Sequence, residues 1–155
     1  MTGIEQELAN LKFFEGLDRD ILALLARHAG EKRYEGGSLI FRSGDPATHF
    51  YVIRRGCVSM AIPALYGPPV EIQILEPGAV LGWSWLIPPH RWFFEARAIR
   101  DTEVFAFDGA AIREACERDP RIGYALLKRF AGLMAQRVQA ARLRVFEVLG
   151  APPGA

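Results

Sequence analysis

The chain is poor in cysteine. Cys57 and Cys116 are the only two, far apart and outside any CxxC or His/Cys cluster, which excludes a disulfide framework and a thiolate metal centre. Both read as small buried hydrophobes, Cys57 in an apolar alternation and Cys116 on a helix. Histidine is scarce as well: His28, His49 and His90 lie in separate segments without HExxH spacing, and neither a Walker phosphate loop nor a G-x-S-x-G elbow occurs. No catalytic or metal-ligating residue stands out, and the chain is expected not to be an enzyme. A haem iron would have to take His49, Cys57 or His90, and no spacing selects among them. No apolar run reaches the roughly 18 residues that a spanning helix requires, and Met1 to Asn10 is polar where a signal peptide would be apolar. A cytoplasmic protein with no membrane contact is expected. Charge of one sign is missing too: 19 basic against 18 acidic side chains leave a net charge of +1, so no global field draws nucleic acid.

What is present divides into three stretches. Residues 4–28 carry helical spacing through Leu8, Leu11, Leu17, Ile21, Leu24 and Leu25, broken at Phe13-Phe14-Glu15-Gly16, with Asp18 as N-cap of the second piece. From Glu31 to Asp108 the period falls to two, punctuated by Gly36, Gly37, Gly44, Gly56, Gly67, Gly78 and Gly82. Val58, Met60 and Ile62, then Val70, Ile72 and Ile74, read as the buried sides of half-buried strands. Phe50 to Ile53, followed by Arg54-Arg55-Gly56, reads as a strand entering a tight hairpin into Val58. Short strands between glycine turns imply a small closed roll or barrel. After Asp108 the helical period returns, with a helix over 109–118 that stops before Pro120 and a long one over 121–149.

The long helix carries Leu127, Ala131, Met134, Val138, Ala141, Val145 and Val148 at 4-3 spacing over three heptads, the pattern of a coiled-coil seam. A second stripe, Leu126, Phe130 and Leu133, gives way to Arg137 and Arg144. The first half therefore has one face for the roll and one for a partner helix, and the second half only the partner face. A homodimer through this helix is expected. One domain over 1–149 results, with helices at 4–28, a β-roll at 31–108, helices at 109–118 and 121–149, and a disordered tail at 150–155.

The run Ile40-Phe41-Arg42-Ser43-Gly44-Asp45-Pro46-Ala47, continuing through Phe50-Tyr51-Val52-Ile53-Arg54-Arg55-Gly56-Cys57-Val58, then Glu76-Pro77-Gly78, Gly82, and Arg97-Ala98 through Thr102-Glu103-Val104 resembles the cyclic-nucleotide-binding sensor domain of the catabolite-activator and fumarate-nitrate-regulator superfamily. The resemblance covers residues 11–149. It implies a mainly β fold with helices (α+β), a double-stranded β-helix or jelly-roll-like β-roll with short N-terminal helices and a long C-terminal dimerisation helix. It also implies a ligand cassette over Gly78–Ala98, in which backbone N–H groups and an arginine hold a cyclic phosphate and a carboxylate accepts the ribose hydroxyl.

The cassette departs from that pattern. Where the family carries Gly-Glu this chain has Gly82-Trp83, and an indole cannot accept the ribose bond. Counting back from Arg97-Ala98, the phosphate arginine falls on Trp92, with Arg91 one residue away, and a one-residue shift in a strand turns a side chain to the other face. All three tryptophans, Trp83, Trp85 and Trp92, lie within ten residues beside Phe93 and Phe94. Either these rings plug the pocket, or they form a wall for a planar ligand while Arg91 and the Gly82 and Ser84 amides take its anionic part. The candidate ligand residues are Leu81, Gly82, Trp83, Ser84, Trp85, Arg91, Trp92, Phe93 and Arg137. Arg137 falls where the family has a helix residue near the base, and it reads equally as a solvated or interhelical charge. The ligand is thus a cyclic nucleotide, another small planar or anionic molecule, or none, with weak or no binding expected for cyclic AMP and cyclic GMP. Family regulators continue into a helix-turn-helix after this helix. Six residues follow Leu149 here, so the chain is expected to act on a separate protein partner, without binding DNA directly, as a sensor or as a ligand-free dimerisation scaffold.

Overall fold

A computed structural model describes residues 3–150. Three short helical pieces open the chain: α1 (Gly3–Ala9), a 3₁₀ turn (Lys12–Phe14) and α2 (Arg19–Arg27). Eight strands follow and form two four-stranded antiparallel sheets. One sheet is ordered β1 (Ala29–Tyr34), β8 (Thr102–Asp108), β3 (His49–Arg55), β6 (Val80–Leu81). The other is ordered β2 (Leu39–Phe41), β7 (Glu95–Ala98), β4 (Val58–Ile62), β5 (Val70–Leu75). The chain closes with α3 (Gly109–Arg118) and α4 (Pro120–Leu149). No helix among the described residues is long and apolar enough to cross a membrane.

Strand β3 shows how sequence alternation builds two cores from one sheet. Phe50, Tyr51, Val52 and Ile53 are all buried, so the strand is apolar on both faces. Tyr51 and Ile53 point between the sheets, where they meet Phe41, Val58, Leu81, Ala96 and Val104 in an inner core. Phe50 and Val52 point outward and join Phe105 and Phe107 of β8 beneath the helices. Leu8, Phe14, Leu25, Leu126 and Phe130 cover that outer face.

Helix α4 begins one residue earlier than the sequence pattern indicates. Pro120 takes its first turn, where a missing N–H costs nothing, and Asp119 caps it by accepting from the Arg121 N–H at 3.0 Å. Gly150 closes it in the left-handed region at φ 75°. That residue therefore belongs to the helix cap; residues 151–155, read from sequence as tail, lie outside the described residues. Asp108 caps α3 by accepting from the Ala111 N–H. Asp18 precedes α2 without a side-chain cap bond. Its carboxylate is held instead by Arg121 at 2.8 Å, which ties the start of α4 to the start of α2.

Two strand expectations are corrected. The turn at Gly56 does not make a hairpin: β3 and β4 lie in different sheets, and Gly56 carries the chain across from one to the other. The aliphatic side of β5 is not core either. Ile74 is exposed and Val70 and Ile72 are half-buried, facing the last turns of α4, while a register shift between Met60 and Ala61 buries both residues and leaves Ile62 at the surface. A bulge changes which neighbours face in, which alternation alone cannot register.

Gly56 sits at φ +97°, and a Cβ there would lie 2.4 Å from Thr102 Oγ1 and 2.6 Å from the Asp101 carbonyl oxygen. Thr102 is buried and its hydroxyl accepts from the Cys57 N–H at 3.2 Å, so it has nowhere to retreat. We expect Gly56→Ala to lower the urea-unfolding free energy by about 2 kcal/mol or more, from backbone strain plus this clash. A wild-type midpoint with an unchanged slope would show that the crossing turn is not constrained as described.

Candidate functional site

The cassette leaves β6 at Leu81, passes through Gly82, makes two turns, closed by the Leu86 N–H to the Trp83 carbonyl and by the His90 N–H to the Ile87 carbonyl, each at 3.0 Å, and returns alongside the 44–47 turn into β7. Its returning limb is held on both sides of Trp92. The Trp92 N–H donates to the Asp45 carbonyl at 3.0 Å, and its carbonyl accepts from the Gly44 N–H at 2.7 Å. Successive residues of an extended segment point to opposite sides, so this pairing decides which of Arg91, Trp92 and Phe93 enters the roll.

Trp92 enters. It is 5% exposed and lies flat on Phe41, ring centroids 3.8 Å apart and planes within 8°. Gly82 is the residue that admits it. At φ +100° this glycine turns its bare Cα toward the indole, and a Cβ there would fall 2.5 Å from the Trp92 ring. Around the pair, Leu81, Trp83, Ser84, Met60 and Phe94 close a void of only about 10 Å³. Ligand pockets of drug-sized molecules run to roughly 300–1,000 Å³, so the rings fill the space between the sheets at this end.

The other expected site residues separate. Arg91 is exposed and donates through Nη1 to the Gly44 carbonyl at 2.9 Å, fastening the turn from outside. Phe93 is 59% exposed. Trp85 is fully buried but in the outer core, against Phe50 at 4.9 Å and Phe130 at 5.1 Å, and its carbonyl accepts from Arg113. Trp83 lies between, half-buried and edge-on to Phe94 at 5.4 Å.

Arg137 corrects the expectation of a solvated charge. It is 4% exposed, continues the Leu126–Phe130–Leu133 stripe of α4, and donates through Nη2 to the Val80 carbonyl at 2.6 Å and through Nη1 to Gln136. Burial pushes its guanidinium down to about 10, which leaves it protonated at neutral pH. Phe41 and Met60 are the lining residues that sequence reading missed, and Phe94, counted there among the cassette rings, was left out of the candidate ligand residues. The signal was available for Phe94: period two on Trp92-Phe93-Phe94 sends the outer two inward and Phe93 out. Among the described residues no three His, Cys, Asp or Glu side chains converge as a metal centre.

A roll of two antiparallel sheets, a β6–β7 cassette and a long helix laid across them is the geometry of one known module. The family model for the cyclic nucleotide-binding domain matches residues 31–119, more than half of the chain. The chain belongs to the cyclic nucleotide-binding domain family. Its relatives include the HTH-type transcriptional regulator Cmr of Mycobacterium tuberculosis, 28% identical over 88% of this chain and 54% of that protein. Another is the acetyltransferase Pat of Mycolicibacterium smegmatis, 37% identical over 49% of this chain and 22% of that protein. The Thermus thermophilus catabolite activator protein superposes with a TM-score of 0.68 at 26% identity, covering 89% of this chain and 62% of that one. The chain thus spans about half the length of the first curated relative and a fifth of the second.

Removing the buried ring separates the two aromatic neighbours. Trp92→Ala is expected to cost about 3–5 kcal/mol, as deletion of a buried aromatic does, whereas Phe93→Ala should stay within about 0.5 kcal/mol. Urea melts of both variants test the inward and outward assignments, and equal losses would overturn them.

Proposed function

We propose that this cyclic nucleotide-binding domain is a non-catalytic, cytoplasmic regulatory module that works as a homodimer through α4 on a separate protein partner, with a roll closed to cyclic AMP and cyclic GMP. The observation that carries the reading is the Trp92 ring seated on Phe41 against Gly82. An indole in that place can neither neutralise a phosphate nor leave room for one. The ligand-free form of the module is therefore favoured over one in which the cassette rings make a wall for a planar ligand.

The dimer draws support from the free face of α4. Leu127, Val138, Val145 and Val148 are about half exposed or more, at 49%, 66%, 50% and 58%, on a helix whose opposite stripe is already committed to the roll. Exposed aliphatics at heptad spacing are what a second copy of the same helix would cover. At its C-terminal end this face continues into an apolar groove of about 230 Å³ beside Ile62, Val70 and Ile72. Relatives whose names are those of a transcriptional regulator and an acetyltransferase are consistent with one module serving different outputs. In this reading α4 carries the output by contact, and direct DNA binding is not required.

Both halves of the proposal are measurable. The wild-type chain should sediment as a dimer at micromolar concentration, and Val138→Glu should sediment as a monomer with an unchanged far-ultraviolet circular-dichroism spectrum, since that side chain is 66% exposed in its own subunit. A monomeric wild type would overturn the dimer. Cyclic AMP and cyclic GMP at about 1 mM should leave the melting temperature of the dimer unmoved, because a ligand binding only the folded state would raise it by mass action. A saturable rise with either nucleotide would overturn the closed roll.

A further inference from the structure

On the flank of the roll away from the cassette rings, the 3₁₀ turn, the turn before β6 and the middle turns of α4 border an open, shallow groove of about 400 Å³. Three cationic side chains line it, Lys12, Arg129 and Arg137, and no carboxylate does. Arg129 donates to the carbonyl oxygens of Phe13 at 3.1 Å, Ala125 at 3.2 Å and Glu15 at 2.6 Å. Arg137 donates to the Val80 carbonyl and to Gln136. Both guanidinium groups are thus held in place by neutral acceptors. Among the described residues neither pairs with an acid, whereas Arg54 is paired with Glu7 and Glu31, Arg121 with Asp18, Asp20 and Asp119, and Arg144 with Glu147.

That contrast calls for a physical account. A charge that is nine-tenths buried is normally neutralised by a partner, because neutral hydrogen bonds recover only part of its lost hydration. Arg137 is buried to that degree and has none. Eight residues separate Arg129 and Arg137, about 12 Å along the helix. Gly132 lies between them at the groove wall, where a Cβ would meet nothing within 4 Å. Guanidinium forks fixed by backbone carbonyls, an ammonium at the rim and open space between them form a preorganised receptor for oxyanions.

We propose that this groove binds a small polyanion of the phosphate or polycarboxylate class, at a site that takes in only the first residues of the cassette, Gly78 to Val80, and lies apart from its Trp83 and Trp92 rings. The site lies under the docked half of α4, so an occupant would neutralise Arg137 and bridge the helix to the 3₁₀ turn.

The test uses the ¹⁵N-labelled full chain titrated with sodium pyrophosphate and, separately, with citrate, at constant ionic strength set by sodium chloride. Saturable amide shifts should appear at Ala79, Val80, Gly132 and Gln136 with either probe or both, and whichever binds tighter names the class. Gly132→Glu sets a carboxylate in the groove without strain and should weaken binding about tenfold or more; Lys12→Gln, at an exposed position, should weaken it by about threefold. Arg137→Gln should abolish it, and the two surface variants decide the matter if that protein fails to fold. No saturable shift by about 5 mM of either probe, unchanged affinity in Gly132→Glu, or shifts centred on Gly82 to Trp92 would each overturn the proposal.

Discussion

The ring of Phe130 is the joint on which the molecule is assembled. It is fully buried and stands edge-on to three other rings, Phe13 of the 3₁₀ turn, Phe50 of β3 and Trp85 of the cassette, each with centroids 5.1 Å away. Those partners belong to the N-terminal segment, the central sheet and the loop between β6 and β7, so one side chain of α4 fixes three elements distant in sequence. Edge-to-face contacts add directionality of about 0.5–1.5 kcal/mol per pair to the burial of a large apolar area. Helix α4 cannot rotate about its axis without breaking all three at once. The orientation of its remaining faces follows from that: Leu126 and Leu133 go down with Phe130, Leu127 and Val138 are left outside, and Arg129 and Arg137 flank the groove.

The same joint explains why three tryptophans in a ten-residue cassette do not act as one cluster. Trp85 is drawn to Phe130 and the outer core, Trp92 is drawn through the gap at Gly82 to Phe41 and the inner core, and Trp83 spans the space between them. The cassette is stitched into both cores, and its backbone is further pinned by the 44–47 turn. In a loop so anchored, a ligand would have to displace a stacked indole before making any contact. Removing that much buried aromatic area costs several kcal/mol, which few hydrogen bonds to a small anion repay.

Much of this was legible from residue order. The change of period from 3.6 to two and back marked the roll and its flanking helices. The double stripe on α4 separated its docked residues from its open ones, because the 4-3 seam through Leu127 and Val138 is centred roughly a quarter-turn round the helix from the Leu126–Phe130–Leu133 stripe. Counting back from Arg97-Ala98 put Trp92, not Arg91, at the inward position, and the pairing with Gly44 and Asp45 keeps that register. What residue order could not supply was long-range. Nothing near Gly56 says that β3 and β4 separate into different sheets, since a tight turn and a sheet crossing use the same glycine. Nothing near Arg137 says that it is buried: on its own helix it reads as the polar end of a stripe, and only the arrival of Val80, 57 residues earlier, supplies the acceptor. Lys12 and Arg129 likewise meet only through the packing of Phe13 on Phe130.

The fastening of α4 is uneven along its length. Up to Leu133 the helix is held by buried apolar side chains, whose contribution persists through local fluctuation. At Arg137 it is held by a charge bonded to a strand carbonyl, and beyond that by Arg144 donating to the Glu71 carbonyl at 2.8 Å from a partly exposed position. A bond of the last kind exchanges readily with water and contributes little net stability. The C-terminal turns, held otherwise only by partial apolar contact with Val70 and Ile72, can therefore lift from β5 at less cost than the docked half while the Phe130 joint stays closed. Arg137 marks the boundary between the two regimes, and its unneutralised charge makes that boundary the point where a change of charge has the greatest leverage. A bound anion there would strengthen the attachment to Val80 and extend the firmly held part of the helix toward the open seam. The exposed aliphatics on that seam would then be presented by a straighter, less mobile helix, so occupancy of the groove and association of two copies would favour each other through the ordering of one element.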